Sequence, residues 1–75
     1  MKVAVLGFGT VGSGVYEIIR DKAFTDICGE EIEIKYLLDI RDFDNEEIKP
    51  YLTKNFDDIL NDDEISVVVE VMLSI

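Results

Sequence analysis

The pattern of apolar and polar positions changes period several times along the chain. Lys2 to Leu6 is almost wholly apolar, as expected of a parallel strand covered on both faces. From Val11 the period becomes helical. Val11, Val15, Ile18 and Ile19 recur at i, i+4, i+7 and i+8, with Glu17, Arg20, Asp21 and Lys22 on the other side. This helix is predicted to fade over residues 23–26, and Gly29 marks a turn after Cys28. Residues 31–40 read as a second strand. Ile32, Ile34, Tyr36 and Leu38 alternate with Glu31, Glu33 and Lys35 until Leu37 breaks the alternation, so the strand should begin exposed and end buried.

Residues 41–49 are polar and acidic, a loop with room for one helical turn over residues 45–48, where Pro50 limits any helix. Residues 51–53 suggest a short third strand. Asn55 then reads as a helix N-cap, with Asp57 and Asp58 suited to the positive helix start and Phe56, Ile59 and Leu60 as the apolar face. An acidic turn over residues 61–64 leads to a β-branched strand over residues 65–72, interrupted by Ser66 and Glu70. The order β-α-β, loop, short β, α, β predicts an α/β fold. Its sheet is parallel with right-handed crossovers, one mononucleotide-binding half of a Rossmann fold.

The junction between the first strand and the first helix carries the candidate chemistry. It reads Gly7-Phe8-Gly9-Thr10-Val11-Gly12, a G-x-G-x-x-G in the context that a dinucleotide site requires. Gly7 lets the chain leave the strand in a tight turn, Gly9 lets backbone approach a pyrophosphate, and Gly12 lets the helix pack closely. The N–H groups of Thr10, Val11 and Gly12 would face the phosphates at the positive end of the helix, and the Thr10 hydroxyl can add a hydrogen bond. Gly14 has no phosphate role and is expected to bring the helix near the sheet.

A second determinant is expected at the end of the second strand, where Asp39 and Arg41 stand. An acid there accepts from the adenosine ribose and favours NAD, whereas an arginine pairs with a 2′-phosphate and favours NADP. Both are present, so the residues leave NADP or NAD open. The acids of residues 42–47, 57–58 and 62–64 have no special spacing and read as solvated surface and caps.

Composition narrows the partners. The chain has 75 residues, 48% of them hydrophobic, which fits one small domain and excludes a disordered tail. Seventeen acids against seven bases give a formal charge of −10, which disfavours nucleic acid and anionic membranes. One cysteine and no histidine exclude an internal disulfide, a Cys/His metal site and a histidine-based catalytic pair. With glycines interrupting the apolar N-terminus and no run of about 20 apolar residues, neither a signal peptide nor a membrane span is expected. A cytoplasmic setting is.

The string Gly7-Phe8-Gly9-Thr10-Val11-Gly12-Ser13-Gly14-Val15 resembles the N-terminus of homoserine dehydrogenases, which open with a strand and G-x-G-T-V-G-x-G-V. Ile40-Arg41-Asp42-Phe43 resembles the segment after that family's second strand. Asp57-Asp58-Ile59-Leu60-Asn61-Asp62 and Val67-Val68-Val69-Glu70-Val71-Met72 resemble its next helix and fourth strand. The resemblance covers nearly the whole chain and departs at Leu73-Ser74-Ile75, where the family continues into a Gly-Gly loop.

The resemblance implies NAD(P)-dependent interconversion of homoserine and aspartate 4-semialdehyde, in threonine, methionine and isoleucine biosynthesis. It implies Phe8, Thr10, Val11 and Arg41 as cofactor contacts beside the glycines. The family's catalytic lysine and acid lie beyond the matched part, so no catalytic residue carries over. Residues 1–75 then read as a truncated NAD(P)-binding domain without its substrate domain, inactive alone and prone to self-association through uncovered sheet surface. The alternatives from other classes are an NAD(P)-sensing regulatory module, which shares the strand and glycine signature, and an inert fragment.

Overall fold

The computed structural model describes residues 1–71. The expected Met72 end of the last strand, and Leu73 to Ile75, lie outside the described residues. The elements are β1 (Lys2–Leu6), α1 (Thr10–Ile19), α2 (Lys22–Cys28), β2 (Glu33–Leu38), a 3₁₀ turn (Lys49–Tyr51), β3 (Leu52–Thr53), α3 (Asp57–Leu60) and β4 (Ile65–Glu70). The four strands form one parallel sheet in the order β3-β2-β1-β4. The chain thus builds outward from β1 to β3, then returns to place β4 on the other side of β1.

The core lies on one face of this sheet. Val3, Val5, Leu37, Tyr16, Ile19 and Ile48 are buried together, with Phe8, Val15, Ile34, Phe43, Tyr51 and Val69 packed against them. Burying side chains of this size stabilises the fold by about 1.5–3 kcal/mol each. The broken alternation of β2 has a structural counterpart. Its register against β1 shifts between Val3 and Ala4, passing over Lys35, so Ile34 opposes Val3 and Leu37 opposes Val5. That shift brings Leu37 into the core, and the strand runs from exposed Glu33 to fully buried Leu37, as its pattern predicted.

The single first helix expected from the sequence is two helices. Asp21 adopts an extended conformation after α1, and its side chain accepts the N–H of Ala23, capping α2. Cys28 is therefore the last residue of α2, exposed, rather than a loop residue. Gly29 closes α2 in the left-handed region at φ 70°.

The face of α1 also differs from the expected stripe. Gly12, Tyr16 and Ile19 are buried and Val15 is half-buried, whereas Val11 and Ile18 point outward at 62% and 54% exposure. The cause is Gly12. A Cβ there would overlap the carbonyl oxygen of Gly7 and lie 2.9 Å from its carbon. This contact sets the rotation of the helix about its axis, so the positions four and seven residues later face the sheet. Gly14 does not bring helix and sheet together, because nothing lies within 4 Å of a Cβ built on it.

The acidic loop supplies a core residue that its composition concealed. Asn45 starts a turn by accepting the N–H of Glu47 on its side chain, and Ile48 is carried to full burial. Pro50 sits within the first turn of the 3₁₀ segment, where its missing N–H costs nothing. Asn55 accepts the N–H of Asp57 on its side chain, but Phe56 holds the N-cap position of α3, so the expected cap lies one residue outside it. The short α3 buries only Ile59, while Phe56 and Leu60 stay 42% and 63% exposed. On β4, Val67 and Val68 are 39% and 46% exposed, the apolar surface that the sequence suggested.

Candidate functional site

The glycine turn lies at the carboxyl ends of the central strands. Gly7 leaves β1 at φ 97°, a conformation open chiefly to glycine, and donates its N–H to the Leu38 carbonyl at 2.7 Å. Gly9 then occupies the N-cap position of α1. No side chain caps this helix, and no acid stands in its first turn. The first N–H groups of a helix have no partner within it, so those of Thr10, Val11 and Gly12 remain for an anion, and the helix dipole favours one there.

A groove of about 810 Å³ opens at this point. Gly7, Gly9, Thr10 and Val11 line it from the turn, and Val71 lines it from the end of β4. Leu38, Asp39, Ile40 and Arg41 come from the end of β2, with Lys54 and Phe56 beyond β3. The groove thus sits where the strand order reverses, the usual ligand position in an open parallel sheet. Its volume suits a small-molecule ligand.

Asp39 and Arg41 are in direct contact. Asp39 Oδ1 accepts the main-chain N–H and Nε of Arg41 at 2.9 and 3.0 Å, and Oδ2 accepts Nη2 at 2.7 Å. Oδ2 also accepts the N–H of Phe8 at 2.9 Å. The paired guanidinium, followed by the main-chain donors of Arg41 and Phe8, outweighs burial and holds the Asp39 carboxyl well below the usual carboxylate range. The arginine side chain is 59% exposed and the aspartate only 6%. The Arg41 guanidinium carbon stands 5.3 Å from the centre of the Phe43 ring. Lys54 brings a second cation to the groove and pairs with Asp42 at 2.6 Å. Lys54 went unnoticed in the sequence, where no spacing marks it.

The structure brings Gly7, Gly9, Thr10, Val11, Asp39 and Arg41 together around one groove. Gly12 stands behind it as a packing contact with Gly7 and Val71. Phe8 is placed differently. Its ring meets Tyr16 and Phe43 edge-on at 5.9 and 5.3 Å, and its N–H is taken by Asp39, so it supports the turn from the core side. Among the described residues, no group of three His, Cys, Asp or Glu side chains converges as a metal site would require, and no helix is long and apolar enough to cross a membrane.

The parallel sheet in the order β3-β2-β1-β4, with a glycine turn between β1 and an uncapped helix, defines the class: an α/β chain carrying one half of a Rossmann fold. Within that class, its likeness is to homoserine dehydrogenase, and it corresponds to the N-terminal part of that enzyme.

The chain is 36% identical over 76 residues to homoserine dehydrogenase of Synechocystis sp., and 35% identical over 79 residues to that of Lactococcus lactis. Each match covers 96% of this chain and 17% or 18% of the relative. Crystal structures of S. aureus homoserine dehydrogenase at pH 7.0 and pH 6.0 superpose with TM-scores of 0.81 and 0.82 at 40% and 39% identity. Both superpositions cover 100% of this chain and 20% of theirs. The chain therefore spans about a fifth of the length of the relatives it matches. No family model matches it.

Proposed function

We propose that residues 1–75 are the cofactor-binding front of an NAD(P)-dependent homoserine dehydrogenase, acting in the interconversion of homoserine and aspartate 4-semialdehyde. The observation that carries this reading is the built cradle. Gly12 has no space for a Cβ, Gly7 takes a left-handed conformation, and α1 begins uncapped beside the groove. These features fit a pyrophosphate lying over the N–H groups of Thr10, Val11 and Gly12, with the Thr10 hydroxyl as a further donor.

The dinucleotide supplies hydride-transfer chemistry when bound. The residues of this chain hold and orient it, and the hydride-transfer acid and lysine belong to the part of the enzyme beyond the match. Arg41, exposed at the rim and beside Lys54, suits a 2′-phosphate, so NADP is the favoured cofactor. The exposed thiol of Cys28 suits a reducing, cytoplasmic compartment.

Calorimetric titration of the chain with NADPH and with NADH tests the reading. Saturable binding of NADPH supports it, and no heat of binding for either cofactor at about millimolar concentration, a binding free energy weaker than roughly −4 kcal/mol, rejects it.

A further inference from the structure

The Asp39 carboxylate is fully engaged. A carboxylate offers about four lone-pair positions, and here each oxygen accepts two hydrogen bonds, three from Arg41 and one from the N–H of Phe8. None is left for a ribose hydroxyl. Arg41 has the opposite balance. A guanidinium carries about five N–H donors. Asp39 takes the Nε proton and one on Nη2, the side fork of the group. The two protons on Nη1 and the second on Nη2 remain, and the latter forms with the Nη1 proton facing it the end fork that suits a phosphate.

We propose that Asp39 is a positioning residue that sets cofactor choice through Arg41, rather than a reader of the ribose. It holds the guanidinium at the rim of the groove with its end fork available to a 2′-phosphate. It also ties the glycine turn to the same carboxylate through Phe8, so the pyrophosphate cradle and the phosphate fork are held as one unit. A ribose without the phosphate meets a carboxylate with no acceptor to offer. A phosphate meets a cation whose side chain is already ordered, which lowers the entropy lost on binding. This inference rests on the dinucleotide reading above and adds what selects the cofactor.

The test is titration of NADPH and NADH, followed by nicotinamide fluorescence, into the wild-type chain, Asp39→Asn, Arg41→Ala and the double variant. The wild type is expected to prefer NADPH by about tenfold to a hundredfold, the worth of a charged hydrogen-bonded pair. Each single substitution should collapse that preference, with NADPH affinity falling by more than NADH affinity, and the double variant should lose no more of the preference than either. Asp39→Asn weakening NADH as much as NADPH, or single effects that add in the double variant, overturns the proposal.

A wild type that binds both cofactors without preference overturns this inference alone. A wild type that binds neither overturns the functional reading as well. Because Asp39→Asn alters a buried charge and can unfold the chain, the wild type provides a separate readout. The Arg41 Nε proton should give a slowly exchanging NMR signal without any cofactor, and a rapidly exchanging one overturns the clamp.

Discussion

Gly12 packs onto the carbonyl of Gly7 so closely that a methyl group on Gly12 would overlap the Gly7 oxygen. One contact therefore does two things. It closes the turn over which the phosphates would lie, and it fixes which side of α1 meets the sheet.

Substitution at the two helix glycines should separate these effects from helix propensity. Gly12→Ala must displace backbone, so it should destabilise the chain by about 1–3 kcal/mol or more and abolish cofactor binding. Gly14→Ala enters open space within the same helix and should stabilise by about 0.5–1 kcal/mol. Thermal unfolding followed by circular dichroism reads both, and a Gly12→Ala chain as stable as wild type would refute the packing argument.

Ile48 is the side chain by which the acidic loop is anchored. It is fully buried against the core although its neighbours Glu46 and Glu47 are exposed. Ile48→Ala should cost about 2–5 kcal/mol. A chain of this length holds only about 4–11 kcal/mol in total. Urea denaturation should show the midpoint falling steeply, and a change under about 0.5 kcal/mol would mean that the loop is not docked.

Acid should unfold the chain through its paired carboxylates. Lys35, then the N–H of Glu64 and the Tyr36 hydroxyl, hold the Asp62 carboxyl down at about 2. Asp39 is held low by Arg41. Groups depressed on folding contribute stability that is complete above their unfolded pKa, near 4, and is lost as pH falls through the folded value. Stability should therefore be flat between about pH 5 and about pH 9 and decline from about pH 4 towards pH 2. Asp62→Asn should flatten part of that decline, and an unchanged acid limb in this variant would argue against the pairing.

Val67 and Val68 on β4 remain 39% and 46% exposed, and among the described residues β4 pairs only with β1. Such a strand favours association with another chain. Sedimentation velocity should show the average mass rising with concentration, and Val68→Lys should suppress the rise. A wild type that sediments as a monomer at every concentration would remove this expectation.

Much of the strand framework and the glycine turn was legible in the sequence. β1, the buried end of β2, the short β3 and β4 follow from runs of apolar and β-branched residues, and the G-x-G-x-x-G needed only its strand and helix context. The site was half legible. Asp39 and Arg41 stood at the expected place, but their types alone supported opposite cofactors. Lys54 lies on no motif and enters the groove because β3 pairs beside β2.

What the sequence determined by itself was local and periodic: the strands, the turn that requires glycine, the turn at Gly29, and the position of the acid and the base after β2. What only the tertiary structure decided was relative placement. The rotation of α1 came from the Gly12–Gly7 contact, which turned Tyr16 inward and Val11 outward against the apolar stripe. The burial of Ile48 came from docking of its loop. The division of labour between Asp39 and Arg41 came from a shared set of hydrogen bonds that also includes the N–H of Phe8, 31 residues away. Periodicity reports which side of an element is apolar, and it carries no information about which partner's backbone that side must meet.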